Sequence, residues 1–352
     1  MEERDVVIVG GGCAGASAGF FLKEHRPETD VLMIDRLEGR RFDLYHRMCG
    51  EAMSEATFRR LRPLSAEHVV HRITRVQEHW PGGVVLEARA KGYVLDRAQF
   101  LRSVHARFRA RDGEVVRDAV VGVERSGGRF VVRCASGRTV SARYLLGADG
   151  AHSRVRKEVF GTEPPEVIWT EQYVVEKDIP KDTIQFIQGQ RYKGGYRWEF
   201  PAGAHAKIGF PRGTDTVDGE VVETHRRAIP TGGLDRITVG RCLLLGDAAA
   251  MANPLTLGGI TTSLVAGRQA AEAVLWDDPS MYERWWHSSP YSDRRFMLAY
   301  RQFQSLTDEE FAYAAQPFRS KSLPLAMLRA WLTRWRYVQL YNSYFASLFY
   351  GW

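Results

Sequence analysis

The stretch from Asp5 to Asp35 constrains this chain more than any other part of its sequence. Asp5-Val-Val-Ile-Val9 is a short, nearly continuous apolar run, the pattern of a strand buried on both faces. It leads into Gly10-Gly-Gly-Cys-Ala-Gly15 and then into Ala16–Leu22, a segment that reads as a small-faced helix. A second apolar run, Val31–Ile34, ends on Asp35, twenty residues past Gly15. Strand, glycines, helix, strand and acid in this order describe a βαβ unit. Its glycines Gly10, Gly12 and Gly15 have the G-x-G-x-x-G spacing.

Each part has a physical task. Gly10 permits the tight turn, Gly12 lets backbone approach a pyrophosphate, and Gly15 lets helix and strand pack closely. The helix start offers unpaired N–H groups and a positive dipole end to phosphates. Asp35 can accept hydrogen bonds from ribose hydroxyls, and its charge disfavours a 2′-phosphate. The fingerprint points to a dinucleotide without choosing between NAD and FAD. The plainer alternative is a doubly wound domain that holds no nucleotide.

At 352 residues the chain has room for two domains, or for one with a large insertion. Met-Glu-Glu-Arg runs directly into the first strand, so no signal or transit peptide is expected. No stretch has the ~18 consecutive apolar residues of a membrane span. The four cysteines, Cys13, Cys49, Cys134 and Cys242, form no C-x-x-C pair. Reduced thiols in a cytoplasmic protein are expected, with membrane association left open. The net charge is +7, with denser basic groups at Arg36–Arg47 and Arg154–Lys157. No helix-turn-helix, RNP or finger pattern accompanies them, so nucleic acid is not the expected partner. Anionic phosphate, on a substrate or a membrane surface, suits that charge better.

Along the chain, Cys49-Gly-Glu and Ser54 read as a turn opening a helix over Glu55–Leu61. A cysteine at a helix N-terminus is a candidate reactive thiol, although a small buried residue is the commoner explanation. Residues 68–94 alternate as strands around the turn Pro81-Gly-Gly83, and a helix is expected from Asp96 to about Ala110. Val115–Val123 and Arg129–Cys134 read as strands joined at Gly127-Gly128. Tyr144-Leu-Leu-Gly-Ala-Asp-Gly150 is a buried strand ending on an Asp-Gly turn, followed by a basic helix at Ala151–Arg156. In Tyr196-Arg-Trp-Glu-Phe-Pro201, period-two spacing puts Tyr196, Trp198 and Phe200 on one strand face. They are either ordinary core or the wall of an apolar pocket. Gly240–Ala250 is an apolar strand ending on Gly246-Asp247, and the chain then passes Pro254 and Gly258-Gly259 into a helix over Thr261–Val274. In the helical tail, Trp331, Trp335, Val338, Tyr341, Phe345, Leu348 and Trp352 recur at steps of three or four. That stripe suits docking on the core, a membrane surface or the wall of an apolar tunnel.

The ordered series Gly10–Asp35, Gly147-Ala-Asp-Gly150 and Gly246-Asp-Ala-Ala resembles FAD-dependent oxidoreductases built like aromatic-ring hydroxylases. Cys49-Gly-Glu, Tyr196-x-Trp-x-Phe-Pro201 and Asn253-Pro-Leu-Thr-Leu-Gly-Gly-Ile260 resemble, more narrowly, the geranylgeranyl reductase family. The resemblance covers residues 5 to 275. Cys13 and Leu257 depart from it, standing where a proline and a glycine are usual.

The resemblance implies an α/β fold: an FAD-binding doubly wound (Rossmann-like) domain interrupted by an antiparallel-sheet substrate domain, with a helical C-terminal tail. The pieces would be 1–65, 95–162 and 236–278 for FAD, 66–94 and 163–235 for substrate, and 279–352 for the tail. It implies that Gly10, Gly12, Ala14 and Gly15 hold the FAD pyrophosphate and that Asp35 and Arg36 lie at the adenosine ribose. Cys49, Gly50 and Ala52 would lie along the flavin. Arg97, Val121 and Asp149 would contact FAD, Asp247 the ribityl region, and Pro254, Gly258, Gly259 and Ile260 the isoalloxazine. Tyr196, Trp198, Phe200 and Pro201 would meet the substrate. The activity implied is reduction of C=C bonds in an isoprenoid chain by hydride from reduced flavin, with Cys49 as the catalytic candidate. The electron donor, NADPH or a ferredoxin-like carrier, stays open, as does peripheral membrane contact. A flavin monooxygenase or halogenase of the same fold, and a non-catalytic FAD- and lipid-binding protein, are the rival readings.

Overall fold

The structure is a computed structural model that describes residues 1–320 and 323–350, the side chains of 323 and 347–350 excepted. The chain opens with β1 (Glu2–Val9), α1 (Cys13–His25) and β2 (Val31–Asp35). Val6 to Val9 are all buried, because β1 lies in the sheet interior between β2 and a later parallel strand. Then come α2 (Gly39–Arg47), β3 (Ala52–Ser54) and α3 (Glu55–Arg60), the last capped by the Ser54 hydroxyl accepting from the Ala56 amide. A long hairpin, β4 (Val69–Trp80) and β5 (Val84–Leu95), leads to α4 (Arg97–Arg109), capped by Asp96.

The expected strand Val115–Val123 is two strands, β6 (Glu114–Arg117) and β7 (Val120–Ser126). Asp118 turns the chain between them by accepting hydrogen bonds from the Ala119 and Ser136 amides. β8 (Arg129–Cys134) and β9 (Thr139–Gly147) complete this excursion. Beyond β9 the expected basic helix shrinks to one turn that continues as a π-helical segment, Arg156–Phe160. Arg156 is 1 % exposed and donates to the carbonyls of Ala248 and Ala151, so it bridges loops and does not face a surface anion.

Strands β10 (Glu166–Val175), β11 (Thr183–Ile187), β12 (Arg197–Ala202), β13 (His205–Pro211) and β14 (Val221–Thr231) follow, then β15 (Thr238–Val239) and β16 (Cys242–Leu244). One sheet runs β15-β16-β9-β1-β2-β6, with the β7–β8 hairpin joined to β9. The other runs β14-β10-β13-β12-β11-β4-β5-β3 and is antiparallel except where β11 lies parallel to β4. β3, expected among the nucleotide-binding pieces, pairs with β5 at the edge of the second sheet.

Helix α5 (Ile260–Leu275) packs on α1, and both need small residues there. A Cβ on Gly267 would lie 2.3 Å from the Ala14 carbonyl oxygen, and the Ser17 hydroxyl donates to the Leu264 carbonyl at 2.6 Å. The tail forms α6 (Pro279–Ser288), α7 (Arg295–Ser305), α8 (Asp308–Ala315), α9 (Leu323–Thr333) and α10 (Val338–Tyr350). Phe296, Phe303, Phe311, Tyr341 and Tyr344 from these helices gather with Trp80 and Val84 in a separate core cluster.

The aromatic stripe of the tail is broken. Arg334 donates to the Tyr313 carbonyl and to Gln316, holds its guanidinium 3.7 Å from the Tyr313 ring centre, and so pins a turn between α9 and α10. Tyr341 turns inward, whereas Trp331 is 47 % and Trp335 76 % exposed. Trp352 and the Leu348 side chain lie outside the described residues.

Candidate active site

One cavity of about 450 Å³ runs between the two sheets. At one end its wall is the loop from β1 to α1. Gly10, at φ +99°, cannot carry a side chain, because a Cβ would sit 2.3 Å from the Ala148 carbonyl oxygen. Gly15 is locked likewise, at 1.9 Å from the Gly10 carbonyl oxygen, and does not reach the cavity wall. Gly12 is different: the nearest protein atom to an added Cβ is His46 Cε1 at 3.7 Å. Protein packing does not demand glycine there, and the bare backbone faces the cavity beside Ala14. Gly12 caps α1 without a side-chain hydrogen bond, and no acid occupies the first turn. The amides of that turn are therefore offered to an anion.

Asp35 is buried at the cavity wall, its carboxylate accepting from the Leu37 amide at 3.1 Å and from Arg117 at 3.2 Å. Burial pushes its pKa up from the ordinary carboxylate value, against the pull of Arg117 and the amide. Arg36 lines the same region and reaches over the Tyr45 ring. Asp149 also lines the cavity, but its carboxylate accepts from the Ser153 hydroxyl and the amides of Arg154 and Val155. Its side chain shapes the turn after β9.

Arg97 is 6 % exposed; its Nε donates to the His46 carbonyl at 2.6 Å, while its Nη2 has no partner. A buried guanidinium left open onto a cavity suits an anionic ligand. His46 Nε2 is likewise without a partner, and burial together with the Arg97 charge holds this imidazole well below its usual pKa. These open donors and the α1 N-terminus fit the pyrophosphate of a dinucleotide.

Cys49 follows the C-terminal end of α2, its amide donating to the Arg47 carbonyl. The sequence suggested a helix N-terminus at this point. β3 intervenes before α3, so no helix N-terminus acts on the sulfur. The Cys49 sulfur instead accepts from the Glu51 amide at 3.3 Å. Glu51 ties this segment down: its carboxylate accepts from the Arg97 amide at 3.1 Å and pairs with Lys207, both partners of that ion pair being buried. Cys49, Gly50 and Ala52 thereby face the cavity.

Asp247 lies in the turn after β16, with Arg227 3.5 Å from its carboxylate. Gly258, Gly259 and Ile260 line the cavity next to it. Leu257 adopts φ +51°. That left-handed backbone costs a bulky residue about 1–3 kcal/mol, and here the side chain packs against the apolar cluster that contains Tyr196, Trp198 and Phe200. Pro254 and Pro201 are buried behind the wall, and Val121 points outward at 48 % exposure; the nearby wall is Ala119 and Val120.

The floor beyond Cys49 is the second sheet. Strand pairing puts Glu78, Phe186, Trp198, Gly209, Gln172 and His225 on one continuous rung across six strands. Trp198 lies over Gly209, where a Cβ would meet its ring at 2.1 Å, and donates its indole N–H to Gln172 at 3.2 Å. Tyr196 and Phe200 flank it, and Val76, Ile184 and Phe186 extend an apolar surface. Tyr196 hydrogen-bonds the Thr256 carbonyl. Glu51 stands in the Cys49-Gly-Glu stretch, but the sequence does not mark His46, Glu78, Gln172, Gln188, His225 and Arg227. No short-range pattern marks them, since strand register and long-range packing bring them here.

No protein-family model matches the chain. A digeranylgeranylglycerophospholipid reductase of Methanopyrus kandleri is 31% identical over 325 residues, covering 79% of this chain and 83% of that protein. A geranylgeranyl bacteriochlorophyll reductase-like protein of Thermoplasma acidophilum superposes with a TM-score of 0.79 at 20% identity, covering 96% of this chain and 98% of the other. A flavin-dependent brominase shares the fold at TM-score 0.69 and 17% identity, over 95% of this chain and 99% of the other. With these likenesses added to a dinucleotide cradle that opens onto an aromatic strand, the chain belongs to the geranylgeranyl reductase family of flavin-dependent oxidoreductases.

Proposed function

We propose that this chain binds FAD and uses it to saturate C=C bonds of an isoprenoid chain laid along β12. The single observation that carries the reading is continuity: one cavity extends from the open amides at α1 to the apolar floor around Trp198. The Methanopyrus relative, whose name gives digeranylgeranylglycerophospholipid as what it reduces, supports a polyprenyl lipid as substrate. Gly12, the first turn of α1 and Arg97 would hold the pyrophosphate, with Asp35 and Arg36 at the adenosine ribose. Asp247 would meet the ribityl chain, and Gly50, Ala52 and Gly258–Ile260 the ring system.

When bound in its reduced form, FAD supplies a hydride to an alkene carbon. The protein's own part is to orient the alkene, exclude water and deliver a proton to the neighbouring carbon. Tyr196, Trp198 and Phe200 orient the chain and dry the site. The Cys49 thiol, or a water it orders, is the proposed proton source. The sequence has no second G-x-G-x-x-G, so the electrons come from a transient partner, NADPH or a ferredoxin-like carrier.

Contact with an anionic lipid surface belongs to the same reading. Leu325, Leu328, Trp331, Leu332 and Trp335 are each 42–76 % exposed along α9 and the turn after it. After Glu310 the sequence carries five basic residues and no acid. Exposed apolar side chains on a segment with several arginines and no acid suit insertion at a headgroup boundary. No described helix is long and apolar enough to cross a membrane.

The test is anaerobic. FAD-loaded protein is reduced chemically and mixed with an unsaturated isoprenoid lipid without oxygen. Reoxidation of the flavin, with saturated product by mass spectrometry, is expected. Reoxidation that requires oxygen would instead assign an oxygenase or a halogenase.

A further inference from the structure

At the β4 end of the floor, the apolar surface is interrupted by an acid. Glu78 is 5 % exposed and lines the cavity, adjacent to Phe186 and two strands from Trp198 on the same rung. Neighbouring strands lie about 4.8 Å apart, which puts Glu78 roughly 10 Å from the Trp198 backbone. The Tyr344 hydroxyl donates to Glu78 Oε2 at 2.7 Å and the Trp80 indole to the same oxygen at 3.3 Å. Among the described residues, none donates to or accepts from Oε1. Trp80 in turn packs against Phe303, Phe311 and Tyr344.

A carboxyl group in such a chamber is costly without a full set of partners, and a leucine would fill the place at no polar cost. Tethering β4 to α10 needs only the acceptor at Oε2, so the second oxygen is unexplained by the fold. We propose that Glu78 Oε1 recognises an ether or ester oxygen of the isoprenoid substrate, making this the polar terminus of an otherwise apolar site. The inference rests on the isoprenoid reading above and adds the requirement that the substrate be oxygenated. An ether oxygen only accepts, so Glu78 must donate. Burial raises the carboxyl pKa, and with both Tyr344 and Trp80 donating to Oε2 the proton is left to Oε1. The titratable groups facing it are the hydroxyls of Tyr344 on α10 and of Tyr196 just before β12, both kept protonated by burial.

The experiment titrates FAD-loaded protein with a saturated diterpenoid methyl ether and with the alkane of equal length, following perturbation of the flavin spectrum. Wild type should bind the ether about fivefold tighter, the worth of one net hydrogen bond. Glu78→Leu should bind the two equally, whereas Glu78→Gln, whose amide both accepts and donates, should keep the preference. Raising the pH should abolish the preference in wild type and leave it intact in Glu78→Gln. If Glu78→Leu does not fold, this pH contrast decides the matter alone. A preference that survives Glu78→Leu, or one that is independent of pH in wild type, overturns the inference. Equal binding of both ligands to wild type overturns it too, while leaving the isoprenoid reading standing. If neither ligand perturbs the bound flavin, the isoprenoid reading itself fails.

Discussion

A side-chain carbon added to Gly50 would lie 2.4 Å from Cδ2 of Phe200. The residue after Cys49 is therefore glycine because Phe200 on the aromatic strand β12 presses against its backbone. Gly50→Ala should push Phe200 aside and cost about 1–3 kcal/mol, as overpacking does. The Gly50→Ala/Phe200→Leu double variant should recover part of that loss, since residues in contact are not additive. Denaturant unfolding of the single and double variants measures both.

Gly12 and Gly15 should separate ligand binding from folding. Gly15→Ala places a carbon against the Gly10 carbonyl oxygen and should prevent stable folding. Gly12→Ala meets only His46 Cε1 at 3.7 Å, so apoprotein stability should change by less than about 1 kcal/mol. FAD affinity, read by fluorescence titration, should nonetheless fall at least about tenfold, because the pyrophosphate needs that backbone bare.

His105 donates from Nε2 to the Gly11 carbonyl at 2.8 Å beneath the loop between β1 and α1. Burial, chiefly, lowers its pKa from 6.5 to about 4. Between those values the unfolded chain binds a proton that the folded chain refuses. Stability from this residue is therefore complete above pH 6.5 and falls as the pH drops towards 4. The loss amounts to about 3 kcal/mol at most. A His105→Asn variant should show a correspondingly flatter acid limb, and the difference between the two unfolding curves from pH 7 to about pH 4 isolates it.

Cys49→Ala should leave FAD bound, since the thiol accepts a single hydrogen bond from the Glu51 amide. Alkene reduction should slow at least about tenfold if the sulfur stands on the proton path. Single-turnover flavin reoxidation under anaerobic conditions reads the step directly. An unchanged rate retires the role.

Replacing Leu328, Trp331 and Leu332 together by serine removes exposed apolar surface and touches no buried core residue. Thermal stability should stay within about 0.5 kcal/mol of wild type per substitution. Sedimentation with anionic vesicles should drop at least about tenfold, and high salt should weaken the wild-type association. Equal sedimentation of both proteins would remove the lipid-surface assignment.

Local chemistry was legible in the sequence. The run Val6–Val9, the glycine spacing, the caps at Ser54 and Asp96 and the alternation of Tyr196, Trp198 and Phe200 act over a few residues and mark their own elements. Only the tertiary structure decided what those elements face. Tyr344 meets Glu78 across 266 positions, and Lys207 meets Glu51 across 156, because strand order and helix docking bring them together. The same distinction explains Cys49. Its neighbours in sequence suggested a helix start, but β3 is drawn to the edge of β5 by a ladder formed some forty residues later. The tail stripe is divided for a related reason: its period is helical, but Arg334 bonds to the Tyr313 carbonyl where the first of two helices ends. Periodicity reports which residues share a face, whereas the partner of that face is set by contacts that no short window of sequence contains.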